Sequence, residues 1–229
     1  MRFVPLKSAE QQAQLMQHRT RDLLMRQRTQ LINAVRAHMA ELGIVAPQGR
    51  EGVKQLLAII ADEGNTSLPL DARASLMVLV AQLEAMQTTI GLLEKRIVVR
   101  HRSNQDSKRL QTIPGIGIIG ATAIAATVTD PTAFQSGRDF AAWIAGGKPR
   151  LGPISKQGDR YLRRILVGGA VSLLRRAKLS PQRYPWVTQM LARRPFKVVA
   201  IALANKMARI AWALLAKGGT YQRLRLAAV

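Results

Sequence analysis

Apolar residues recur along this chain at helical spacing, and the pattern changes character near its middle. Between Leu76 and Ile97 the apolar positions are Leu76, Leu79, Leu83, Met86, Ile90, Leu93 and Ile97, alternating in steps of three and four. A 3.5-residue seam of this kind marks a helix that pairs along its length, as in a coiled coil, although one helix of an ordinary bundle carries a similar stripe. An earlier helix is predicted from Ser8 to about Leu42. Ser8 and Gln11 form a capping-box pattern at its start. Leu24, Leu31, Val35, Met39 and Leu42 line one side of it, and Gly43 and Pro47 stop it. A short amphipathic helix over about 53–61 carries Leu56, Leu57 and Ile60, and 64–69 reads as a polar turn. Left alone, the long seam would expose a contiguous apolar stripe, so it needs a partner. The first long helix folded back as an antiparallel hairpin is one candidate; a second copy of the chain is the other.

From about Ser103 the texture shifts to shorter helices separated by Gly and Pro. This places a domain boundary near residues 100–108, with a helical coiled-coil arm over 1–105 and a compact helical domain over 106–229. Within the latter, Leu110 to Ala123 follows a helix-hairpin-helix pattern. A short helix ends near Ile113, Pro114 to Gly117 makes the hairpin, and a second helix starts near Ile118. Another helix is predicted from near Ser155, with Ser155 as its N-cap. The last, Phe196 to Lys217, buries Val199, Leu203, Met207, Ile210 and Leu214 and leaves Lys206, Arg209 and Lys217 outside that stripe. The expected fold class is all-α.

Composition agrees: 48% of the 229 residues are hydrophobic but only 4% aromatic, which favours helices over a β-sandwich. The absence of Cys removes disulfides and thiol chemistry. Three scattered histidines, His18, His38 and His101, do not make a zinc site by themselves. Leu110 to Thr129 is uncharged for twenty residues, yet Pro114, Gly115, Gly117 and Gly120 interrupt it and four Thr dilute it. It reads as part of a soluble domain, with no membrane partner.

Charge changes the picture more. Residues 1–94 hold ten Lys and Arg against nine Asp and Glu, a balance of +1, while residues 95–229 hold twenty-five against four, a balance of +21. An Arg-rich half nearly free of acids points to nucleic acid as its partner. Phe134 to Leu166 alone has seven Lys or Arg against two Asp. Lys156, Arg160, Arg163 and Arg164 stand at i, i+4, i+7 and i+8, opposite Leu162, Ile165, Leu166 and Leu173, so one helix face is core and the other cationic. Lys148 and Arg150, in the preceding Gly-Pro loop, join that surface, and Arg193, Arg194 and Lys197 extend it. In the hairpin, Gly115 and Gly117 leave backbone amides open to a phosphate oxygen at a helix N-terminus. A plain Gly-rich turn between core helices would look the same, but Lys108 and Arg109 precede it and favour DNA. Such contacts position a duplex without reading its bases. Trp143, Trp186 and Trp212 read as core, since none sits in an aromatic cluster. Two-metal phosphoryl transfer needs several converging carboxylates. The basic half has only Asp106, Asp130, Asp139 and Asp159, each isolated, with Asp130 before Pro131 a turn former.

Three segments then resemble one family: Thr112 to Val128, Ser136 to Ile144 and Gly146 to Leu166 are similar to the insertion-sequence 110 transposases, the bridge-RNA-guided DNA recombinases of bacterial mobile elements. The resemblance runs over essentially the whole chain. It implies a bacterial cytoplasmic protein at the nucleoid, with double-stranded DNA and a guide RNA as partners. It also implies an arm that engages a second copy or an intact transposase. Intact members of that family bind Mg²⁺ through four acids of an N-terminal RuvC-like domain and use a nucleophilic Ser in the C-terminal domain. Here Met1 to Lys7 resembles the segment just past those acids. After Ala141 to Ile144, where the family continues for roughly eight residues to its Ser, Ala145 runs straight into Gly146, Gly147 and Lys148. Ser136 and Ser155 match other family positions. The expectation is therefore a DNA-binding part of a transposase, with no catalytic or metal-binding residue and no cofactor of its own, inactive alone. The alternative is a non-enzymatic nucleic-acid-binding or regulatory protein that associates with an intact transposase.

Overall fold

Ser8 opens the first helix as its sequence pattern requires. Its Oγ accepts from the Gln11 amide at 3.1 Å, and its own amide donates to Gln11 Oε1 at 3.0 Å. The computed structural model describes residues 6–146 and 158–222, and every regular element in them is helical. In chain order these are α1 (Ala9–Glu41), α2 (Arg50–Ala61), α3 (Leu70–Ser103), α4 (Gln105–Gln111), α5 (Ile118–Thr127), α6 (Gly137–Ala145), α7 (Arg160–Leu179), α8 (Pro185–Arg193) and α9 (Phe196–Lys217). Short 3₁₀ turns lie at Pro131–Ala133 and Pro181–Arg183.

The chain divides into two compact units, one of which spans Met16–Arg96. In it α3 buries Leu76, Leu83 and Ile90, each seven residues from the last, and leaves Leu79, Met86 and Leu93 half-buried. The covering side comes from α1: Val35 and Met39 pack in one cluster with Leu56, Ile60, Leu68 and Leu76. Further along, Arg21 Nε on α1 donates to Glu94 Oε1 on α3 at 2.8 Å. An early residue of α1 thus meets a late residue of α3, and late α1 meets early α3, so the hairpin closes within the chain. A second series on α3, Val78, Ala85 and Leu92, also repeats every seven residues but is exposed. The Arg73 guanidinium braces the turn between α2 and α3, donating to the carbonyl oxygens of Ile60 at 2.7 Å and Asn65 at 2.5 Å. On α1, burial, aided by the Arg21 charge, holds the imidazole of His18 down to about 4.

The other unit comprises the described residues up to Leu15 and those from Ile97 onward. Its centre is α9, which packs against α4, α6, α7 and α8. Phe140, Leu162, Leu174, Met207 and Ile124 are fully buried there. The start and end of α9 agree with the periodicity of its sequence. α7 differs from expectation. It begins at Arg160, because Asp159 Oδ1 accepts from the Leu162 amide at 2.9 Å and caps the helix there. Ser155 lies outside the described residues. By length and composition alone, α3 and α9 could each cross a membrane; α9 is the core helix of its unit, and α3 is apolar on two sides. The uncharged stretch from Leu110 is divided between the end of α4, a turn and α5.

Candidate nucleic-acid interface

The turn between α4 and α5 needs its first glycine for a reason the sequence concealed. Gly115 has φ +92°, a conformation that favours glycine. A methyl on Gly115 would lie 3.0 Å from the Gly169 carbonyl oxygen of α7, and one on Gly169 only 2.0 Å from the Gly115 carbonyl oxygen. The two glycines therefore exist for each other: they let the turn lie directly on α7. Gly117 is different. It is exposed, caps α5 with no side-chain bond, and a methyl there would meet nothing within 4 Å. The first amides of α5 have no helical acceptor, as in any helix, and present a partial positive charge. Beside the turn, Lys108 is exposed, and Arg109 Nη1 pairs with Asp106 Oδ1 at 3.1 Å.

α7 carries six cations and no acid over twenty residues. Arg160 and Arg164 are exposed, and the Arg164 guanidinium lies 5.6 Å from the Tyr161 ring centroid. Arg163 turns inward instead. It is half-buried, and its Nη1 donates to the carbonyl oxygens of Ile144 at 3.2 Å and Ala145 at 3.4 Å, closing the C-terminus of α6. The helical spacing put all three on one face; Arg163 sits at that face's edge, where unpaired carbonyls draw it in. Sequence reasoning passed over Arg175, Arg176 and Lys178, all exposed near the end of α7. At 100° per residue, Arg160, Arg164, Arg175 and Lys178 fall within about 60° of one another over about 27 Å of helix. The signal was present in the sequence as the Arg175–Lys178 run.

Lys148, Arg150 and Lys156 lie outside the described residues. Gly146 and Gly158, on either side of them, are described. A methyl on Gly158 would fall 2.3 Å from the Gly146 amide nitrogen and 2.4 Å from the Trp143 carbonyl oxygen. Gly146 and Gly158 therefore lie against each other, next to Arg163 and the start of α7.

Two Ser side chains invite comparison with a nucleophile. Ser136 Oγ caps α6, accepting from the Asp139 amide at 3.3 Å. Ser107 Oγ lies 2.7 Å from His101 Nδ1, and His101 Nε2 lies 2.8 Å from Gln111 Oε1. This has the spacing of a Ser–His pair, but Ser107 is completely buried and no substrate can reach it. It ties α4 to the end of α3. Asp130 accepts from the Thr132 amide at 2.8 Å and from its hydroxyl at 2.6 Å, and these bonds hold its carboxyl below the usual range. Among the described residues no three His, Asp or Glu converge to hold a metal.

The tryptophans correct one expectation. Trp143 does sit in an aromatic cluster, with ring centroids 5.3 Å from Phe134 and 5.8 Å from Phe140. Trp212 is half-buried, and its Nε1 donates to the Pro131 carbonyl at 2.9 Å. Trp186 is not core: it is 37% exposed at the start of α8.

A family model described as the IS116/IS110/IS902 transposase family matches residues 107–185, covering the turn, α6 and α7. Among similar proteins are a putative transposase y4pF/y4sB of Sinorhizobium fredii, 43% identical over 97% of this chain and 60% of its own length. A probable family 20 transposase of Pseudomonas aeruginosa is 42% identical over 97% of this chain and 69% of its own. The transposase for insertion sequence element IS1328 of Yersinia enterocolitica is 34% identical over the same shares. The chain thus spans roughly 60–69% of the length of these relatives.

Proposed function

This chain belongs to the IS116/IS110/IS902 transposase family, and from that premise we propose that residues 106–229 are its DNA-gripping domain and residues 1–105 an assembly arm. The observation that carries the reading is α7: six cations, no acid, and four of those cations along one exposed stripe. Arg160 and Arg164 hold backbone phosphates, and Lys148, Arg150 and Lys156 supply further cations for the same duplex. The amides at Gly117 and the exposed Lys108, with the half-buried Arg109 beside it, take a further phosphate in helix-hairpin-helix fashion. Gly115 contributes by seating that turn on α7, and Arg163 by bracing α6. Contacts of this kind hold double-stranded DNA with little base preference.

The partners follow from the same reading. The DNA is that of a bacterial cytoplasm, at the nucleoid, and a guide RNA shares the basic surface. The exposed series Val78, Ala85 and Leu92 on α3 supports coiled-coil pairing of the arm with a second copy or with an intact transposase. Strand transfer by this chain alone is not part of the proposal. Its four C-terminal acids stand apart, Ser136 is committed to a cap, and the proposal takes the family's Ser-bearing segment after Ile144 to be lacking here.

The test is a duplex-binding titration across salt. Each phosphate contact adds about 0.9 to the slope of log affinity against log salt. A steep slope, with no DNA adduct surviving denaturation in Mg²⁺, is the expected result. Salt-independent binding, or a covalent adduct, would overturn the proposal. A regulatory protein without DNA affinity would instead co-purify with an intact transposase and show no shift.

A further inference from the structure

Trp186 stands where two grooves meet, both within the C-terminal unit. One, of about 570 Å³, is bordered by Pro114, Tyr184 and Leu203; the other, of about 840 Å³, by Arg138, Asn205 and Arg209. Lys206 borders both, and its Nζ lies 4.1 Å from the centre of the Trp186 ring. Among the described residues no Asp or Glu borders either groove. The cationic groove is built by a close approach. A methyl on Gly137 would lie 3.0 Å from the Arg209 carbonyl oxygen, so the start of α6, with Arg138, rests on α9 beside Arg209. Both volumes fall in the range of small-ligand clefts, roughly 300–1,000 Å³.

An apolar recess, an exposed indole and three cations in immediate succession match the make-up of a nucleotide: a flat base joined to an anionic phosphate. A base stacks on an aromatic ring whatever its identity, and cations beside the ring hold the backbone. A base inside a duplex is already stacked on its neighbours and does not enter such a recess. We propose that this junction binds an unpaired nucleotide, its base against Trp186 in the apolar groove and its phosphate on Lys206, Arg209 and Arg138. The proposal rests on the reading that this unit binds nucleic acid, but on side chains separate from the α7 stripe. An acidic peptide would satisfy the cations and leave the apolar recess without a purpose.

The test compares a short oligothymidylate with a duplex, using the full chain and its variants Trp186→Ala, Trp186→Phe and Lys206→Gln. Trp186→Ala is expected to weaken oligothymidylate binding about ten-fold and to leave duplex affinity as it was. Trp186→Phe retains most of the single-strand affinity, and Lys206→Gln loses several-fold. Intrinsic tryptophan fluorescence is quenched by the oligonucleotide in the parent chain, and the quench is largely lost in Trp186→Phe. The same single-strand affinity in Trp186→Ala and Lys206→Gln, with duplex binding intact, overturns this proposal alone. Polyglutamate quenching Trp186 in place of the oligonucleotide would assign the junction to an acidic peptide and also overturn it. Failure of the parent chain to bind either nucleic acid would sink this inference together with the function it rests on.

Discussion

The arm and the C-terminal unit solve the burial problem in opposite ways, and the difference shows where charge can be placed. In the arm, α3 buries one residue in seven and depends on α1 for cover. In the C-terminal unit, α9 is enclosed by four helices, and small residues such as Gly115, Gly169, Ala170 and Ala211 let them approach closely. With its inner face secured by that enclosure, α7 can give the rest of its surface to arginine. The arm has no such surplus: its second apolar series is still exposed, and its half of the sequence is nearly neutral.

The largest effect that would sharpen this comparison is acid-induced and confined to the arm. His18 titrates near 4 in the folded chain, against an ordinary 6.5 when unfolded. Above pH 6.5 it is neutral in both states and costs nothing. As pH falls through 6.5 the unfolded chain takes up a proton that the folded arm refuses, so stability declines and levels off below about pH 4. The full loss is about 3 kcal/mol, read from denaturant unfolding followed across pH. His18→Leu should flatten that dependence; an unchanged profile would break the assignment.

A second experiment makes the same substitution in both units. Gly169→Ala drives a methyl into a backbone carbonyl and should cost about 2–3 kcal/mol. Gly91→Ala, in open space on helix α3, should instead stabilise by roughly 0.5–1 kcal/mol. Thermal unfolding reads both signs, and two losses would mean that the arm is as tightly packed as its neighbour. The smallest effect on stability tests the charged stripe. Arg160→Ala with Arg164→Ala should leave the melting temperature nearly unchanged while reducing the salt slope of duplex binding by about 1.8. Arg163→Ala should do the reverse, lowering stability by about 1–2 kcal/mol through the orphaned α6 carbonyls and sparing the slope.

These contrasts also separate what was legible in the chain from what was not. The α3 seam, the Ser8 cap and the limits of α9 were readable because each depends on residues within a few turns of one another. Gly115 was seen as a turn residue, but its partner Gly169 lies 54 positions away, so the packing contact left no local trace. The inward turn of Arg163 depends on where α6 ends, which helical spacing does not encode. Asp159 was within reach: an Asp after Gly158 is a strong cap, and the Ser155 reading overlooked it. Trp186 was assigned to the core for want of an aromatic cluster around it, whereas it is exposed at the start of α8, which packs on α9.

The meeting of Gly146 with Gly158 has a consequence for the evolution of the family. A stretch of chain whose two ends share one anchorage can change length without shifting the register of the helices on either side. Loop-closure entropy is nearly indifferent to such edits, at about 0.6 kcal/mol for each doubling of length. A difference in length confined between Gly146 and Gly158 would therefore leave the packing of α6 and α7 on α9 as it is. Grafting a longer stretch between Gly146 and Gly158 is then a matter of splicing at one knot, with the rest of the scaffold left untouched.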